Sequence, residues 1–201
     1  MKNKYSTLIK DLSDKELLFH LYATQFAILV ISVILAFLLY GDLSFLHRFS
    51  VIKPWYLLTG IGAALIVVMI DIILMRVLPH SYYDDGGLND KIFRGRSTLN
   101  IFFIAALVAL SEEILFRGVI QTKTGLIIAS LLFAAIHFRY LFNLFLFTNI
   151  VLLSFFIGFM FEWSGSLFVT FVMHFIIDLL LGLYIKFKRP VKEEQEGILH
   201  E

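Results

Sequence analysis

The chain has 201 residues, 59% of them hydrophobic and only 16% charged, with a mean hydropathy of +0.85. That balance lies outside the range of a soluble domain of this size and indicates an integral membrane protein. A net charge of +1 with its cations spread over loops argues against a nucleic-acid partner, and the absence of cysteine excludes disulfides and thiolate chemistry.

Residues 1–20 carry Lys2, Lys4, Lys10 and Lys15 among acids and are expected to form a short amphipathic segment at the membrane interface. The first apolar run, about Leu21 to Tyr40, is long enough to span and has no small-residue cleavage site behind it, so it is read as a retained helix. A second run extends from about Trp55 to Leu78 and is closed by Pro79. Asp71 lies inside it and is expected to pair or pack near Arg76. These two accessory helices and the loop to residue 100 form one unit, 21–100. In the loop, Tyr83-Asp84-Asp85-Gly86-Gly87 reads as a polar turn, because it lacks the ligand spacing of a calcium site, and a basic stretch at the membrane surface follows.

The third run, about Ile101 to Ile120, holds Ser111-Glu112-Glu113-Ile114-Leu115-Phe116-Arg117. Charge near a bilayer centre costs between about 2.5 and 17 kcal/mol, so such residues face a protein interior or a watered cavity and usually carry function. Glu113 and Arg117 stand four apart on one helix face and form a supporting ion pair. Glu112 points about 100° away with no cation one turn on, which leaves it as an available carboxylate. A short fourth run, about Gly125 to Phe138, ends near His137, and a fifth covers about Leu141 to Trp163. After Ser164-Gly165-Ser166, the sixth run, about Leu167 to Phe187, carries His174 and Asp178 at the same four-residue spacing. Residues 101–187 are the expected catalytic core, and 188–201 a cytoplasmic tail.

The expected fold is therefore an all-α polytopic transmembrane bundle of about six helices with a four-helix catalytic core. With the N-terminus inside, thirteen of the seventeen Lys and Arg residues fall on the cytoplasmic side, so both termini are expected there. At about 1.5 Å per residue through a core about 30 Å thick, Glu112, His137, His174 and Asp178 lie roughly 16, 12, 18 and 12 Å from the inner surface. Two carboxylates and two imidazoles in one layer can hydrolyse a bond in two ways. They can hold a divalent metal such as Zn²⁺ with an open position for water. Without metal, Glu112 assisted by His137 takes a proton from water while His174 and Asp178 steady the oxyanion or leaving group.

Glu112-Glu113-x-x-x-Arg117, Phe133-x-x-x-His137 and His174-x-x-x-Asp178, the last preceded by Ser164-Gly165-Ser166-Leu167, resemble the motifs of the CPBP intramembrane proteases. That group takes in CAAX prenyl protease 2, the bacteriocin-processing or Abi proteins and chains like lysostaphin resistance protein A. The resemblance covers about Ile101 to Tyr184. It implies an intramembrane endopeptidase of a bacterial cell membrane, acting on a membrane-bound peptide or protein. Glu112 and His137 would activate water, His174 and Asp178 would form the oxyanion site, and Glu113 and Arg117 would support it. Members are described both as metalloproteases and as metal-independent glutamate proteases, so a metal held by Glu112, His137, His174 and Asp178 stays open. The last position is Asp178 where many members have Asn, and a carboxylate donates no hydrogen bond unless protonated. The alternative function is a non-proteolytic immunity or scaffold protein of the membrane.

Overall fold

The computed structural model describes residues 11–50 and 52–188, and these form helices joined by short turns, with no strand among them. Five helices are long and apolar enough to cross a membrane: α1 (Asp14–Tyr40), α2 (Pro54–Val77), α5 (Thr98–Thr124), α7 (Leu144–Ser164) and α8 (Leu167–Phe187). Between them lie α3 (His80–Tyr83), α4 (Leu88–Phe93) and α6 (Leu126–Ile136). With 11 residues, α6 is about 16 Å long and is by itself too short for a core of about 30 Å; a 3₁₀ turn, Phe138–Phe142, completes the return, and the Asn143 side chain donates to the Ser81 and Asp84 carbonyls of the loop after α2. The all-α polytopic bundle expected from the sequence is what forms.

The first helix begins earlier than its apolar run. Ser13 accepts from the Glu16 amide while Glu16 reaches back to Ser13, and this capping box starts α1 at Asp14. Leu17 is already buried against Leu88, Ile92 and Ile104. Residues 14–20 thus belong to a packed spanning helix and not to a separate interfacial segment. The part of that expectation falling on residues 1–10, and the tail expected from residue 189 on, lie outside the described residues.

The loop after α2 is more ordered than a polar turn. Asp84 and Asp85 accept from the amides of Gly86, Gly87 and Asn89, and Gly86 and Gly87 take the positive φ that such a reversal needs. The amphipathic α4 then buries Leu88 and Ile92. Its basic residues bind chain ends: Lys91 donates to the Leu12 carbonyl, and Arg94 to the Lys188 carbonyl at 2.7 Å. Both ends of the described chain therefore sit on the same face of the bundle.

Helix α8 packs between α5 and α2, α6 lies on α7, and α1 covers α5. Ala64, Val68, Ile157, Met160, Met173 and Ile177 form one core cluster, while Ile28, Leu115, Phe116 and Phe133 form another beside the polar site. The outer faces of α1 and α2 expose Phe26, Ile34, Phe37, Leu58 and Ile66, as lipid-facing helices must. Asp71 makes no ion pair among the described residues. Arg76 is five positions on, about 140° around the helix, and is exposed, so the expected pairing does not form.

Candidate active site

Helix α5 is α-helical from Thr98 to Glu113 and becomes a π-helix over Ile114–Gln121, before one last α turn. π segments are costly and are found mostly at functional sites. Here the switch comes immediately after the two glutamates, and Leu115, Phe116, Arg117, Gly118, Val119 and Gln121 in the widened turns are all buried. Glu113 and Arg117 are fully buried. Arg117 Nε lies 3.6 Å from Glu113 Oε2, while its Nη2 donates to the Ser154 carbonyl at 3.0 Å and the Ser154 hydroxyl at 3.2 Å. Its guanidinium also stands 5.2 Å from the centre of the Phe133 ring.

Glu113 has a second partner. Its Oε1 lies 3.0 Å from His174 Nδ1, and the other nitrogen of that ring, Nε2, is 3.6 Å from Asp178 Oδ2. A chain of alternating basic and acidic groups thus runs from Ser154 through Arg117, Glu113 and His174 to Asp178, joining α7, α5 and α8. The 3.0 Å contact is a hydrogen bond and the 3.6 Å contact is not, so Nδ1 is anchored and Nε2 is held loosely.

Glu112 stands beside this chain and not in it. Only 5% exposed, it has no hydrogen bond or ion pair among the described residues, yet it is within electrostatic reach of His174, Asp178 and Arg139. His137 caps the C-terminus of α6. Its Nδ1 bonds to the Phe133 carbonyl at 2.8 Å, so that nitrogen carries the proton and Nε2 keeps its lone pair. The His137 ring is stacked between Phe133, 4.8 Å away, and Tyr140, 6.1 Å away, which fix its plane. It lies within electrostatic reach of His174, but no hydrogen bond joins it to Glu112. The fully buried end of the site is Arg117 and Glu113, and the accessible end is the half-buried His137 and Asp178, whose side chain is 28% exposed.

Of the six residues singled out in the sequence, Arg117, Glu113, His174 and Asp178 are joined by contacts, and Glu112 and His137 lie within electrostatic reach of His174. Glu113, expected only to pair with Arg117, also holds His174. Sequence reasoning missed Gln25 and gave Ser111 no role. Both are buried, and the Ser111 hydroxyl donates to Gln25 Oε1 at 2.5 Å, linking α1 to the turn before Glu112. The one available signal was that Gln25 is the only amide side chain in the first apolar run.

For a metal, the donor types are right and the arrangement is not. No group of three or more His, Asp or Glu side chains converges as a ligand set among the described residues. Both His174 nitrogens face carboxylates, and Glu113 is committed to Arg117.

Residues 94–180 match the family described as type II CAAX prenyl endopeptidase Rce1-like. The chain is also 46% identical over 142 residues to the uncharacterized protein YpbD of Bacillus subtilis strain 168, covering 71% of this chain and 74% of the relative. The chain belongs to the Rce1-like family. No solved structure matches it. The Rce1-like segment contains all six residues of the site, whereas α1, with Gln25, lies outside it. Membership makes the protein one of a family of CAAX-type membrane endopeptidases, and the apolar helices of the fold place it in the bilayer.

Proposed function

We propose that the protein is an intramembrane endopeptidase that hydrolyses a peptide bond of a membrane-inserted or membrane-bound peptide or protein, with Glu112 as general base. The observation that carries this reading is a buried Glu112 carboxylate with no hydrogen bond or ion pair among the described residues, within electrostatic reach of His174, whose Nε2 makes no hydrogen bond among them. A purely structural acid would be paired, as Glu113 is.

In the proposed reaction Glu112 takes a proton from water as the water oxygen attacks the scissile carbonyl carbon. His137 Nε2, with its lone pair turned away from the Phe133 carbonyl, orients that water. The negative charge that develops on the carbonyl oxygen is met by the Nε2–H of His174, an imidazolium whose Nδ1–H is already given to Glu113; Nε2–H leaves the loose Asp178 contact while Glu113 keeps the ring in place. Glu112 then returns its proton to the departing amine, the C–N bond breaks, and the products are a carboxylic acid and an amine. Arg117 and Glu113 take no part in proton transfer and hold His174 and the helix turn. The substrate enters from the His137 and Asp178 side, and both termini face the cytoplasm, as the distribution of lysine and arginine suggests.

The test is complementation of a strain lacking the protein with wild type or Glu112→Gln at matched membrane levels, followed by mass spectrometry of secreted and membrane peptides. Loss of a cleaved peptide only with Glu112→Gln supports the assignment. Unchanged cleavage with Glu112→Gln refutes it and favours an immunity or scaffold role.

A further inference from the structure

Glu112 has no hydrogen-bonding partner among the described residues, so no hydrogen bond fixes the direction of its carboxylate, and the backbone turn beneath it bears directly on where that carboxylate points. That turn is the junction at which α5 passes from α to π geometry. The Ile114 amide is shared there between the carbonyls of Leu110 and Ser111. The Ser111 hydroxyl has one proton and three acceptors in range: Gln25 Oε1 at 2.5 Å, the Leu107 carbonyl at 2.8 Å and the Val108 carbonyl at 3.0 Å. Left to its own helix, a serine bonds back to the preceding turn, which bends the helix at that point. Gln25, 7% exposed and on a different helix, offers the nearest acceptor and draws the hydroxyl away from that turn.

We infer that Gln25 is a positioning residue for the Glu112 carboxylate, acting through its hydrogen bond to Ser111 at the α-to-π junction. This rests on the endopeptidase reading for its kinetic consequence and on geometry alone for its structural one. Glu113 is held directly by Arg117 and His174, so loss of the clamp redirects Glu112 and leaves the His174 anchor in place. A misplaced general base slows the chemical step and leaves substrate binding intact. It also means that α1, which lies outside the segment matching the family, takes part in setting up the site.

The experiment compares wild type, Gln25→Leu, Ser111→Ala and the double variant, all purified in detergent. The substrate is an internally quenched copy of the peptide whose cleavage depends on Glu112. Each single variant is expected to lower kcat by about ten- to a hundredfold with KM within about twofold, and the double variant to be no worse than either. Independently of activity, the carboxyl infrared band identified by its loss in Glu112→Gln should shift in both single variants. Ser111→Ala removes only one oxygen atom and keeps the test available should Gln25→Leu fold poorly. An unmoved band, an unchanged kcat, additive losses, or a loss seen only in the amount of folded protein each overturns the inference. If wild type shows no Glu112-dependent cleavage, the endopeptidase reading fails and the infrared band alone decides the clamp: a shift upholds it and an unmoved band overturns it.

Discussion

Replacing Arg117 by methionine tests the physical account of the site's foundation. Arg117 is 0% exposed, gives two hydrogen bonds to Ser154 and faces Glu113, itself 0% exposed, at 3.6 Å. Methionine keeps much of the volume and removes the charge, leaving Glu113 in an interior from which water is excluded and with only His174 opposite it. Breaking a buried pair from one side costs about 3–5 kcal/mol, because an uncompensated charge remains. For a chain of this length each kcal/mol moves Tm by about 2–4 °C, so Arg117→Met should lower it by about 6–20 °C. Glu113→Gln in the same chain removes the stranded charge and keeps an acceptor for His174 Nδ1. The double variant should therefore recover at least about 2 kcal/mol relative to the sum of the single losses. Thermal and SDS-induced unfolding in detergent micelles can be followed through Trp163, whose ring packs edge-on against Tyr56 at 4.6 Å. A single variant within about 1 kcal/mol of wild type, or strictly additive losses, would refute the claim that this pair bears a buried charge balance.

Other outcomes follow from particular contacts. Asp178→Asn keeps an oxygen that can accept from His174 Nε2, so cleavage should stay within about tenfold of wild type, whereas Asp178→Leu should reduce it further; an inactive Asn variant would show that the formal charge is required. His137→Ala should abolish cleavage with the protein still folded, as judged by gel filtration, and retained activity would remove His137 from the reaction. A Cβ on Gly118 would lie 2.7 and 3.0 Å from ring atoms of Phe45 and 3.3 Å from Leu167, so Gly118→Ala should destabilise by about 1–3 kcal/mol in the same unfolding assay. Asp85, in the loop outside the spanning helices, is held above the usual carboxylate value by burial, against the opposing pull of the Asn89 amide and Arg139. Its contribution to stability is present at low pH and is lost as pH rises through that raised value. Asp85→Asn should therefore flatten the fall in unfolding midpoint as pH rises above the ordinary carboxylate range, and an unchanged slope would count against it.

Much of this was legible in the sequence because a bilayer permits few solutions. Spanning helices must be apolar for about 20 residues, and charge inside them must be internal, so Glu112, Glu113, Arg117, His174 and Asp178 stood out. The four-residue spacings of Glu113 with Arg117 and His174 with Asp178 gave one partner for each pair. They could not show that Glu113 and His174 meet, since that contact spans 61 positions in the chain and depends on how α5 and α8 pack. The π segment was invisible because its hydrogen bonds shift by one residue with no change in apolar pattern. Asp71 was assigned a neighbour by proximity along the chain, and helix geometry places Arg76 on another face. The start of α1 at Asp14 was missed because its first turns are polar in composition and only Leu17 among them is buried, in a contact with α4 that spacing along the chain does not show.

The sequence by itself thus determined the solvent, the number of apolar segments and which charged and imidazole side chains stand inside them, since hydropathy and residue spacing settle these locally. The tertiary structure decided which carboxylate is held and which has no partner among the described residues, and which histidine nitrogens make hydrogen bonds there. It also showed that the first helix reaches the site through Gln25. These depend on contacts between helices far apart in the chain, where packing selects one partner among several that local spacing allows equally.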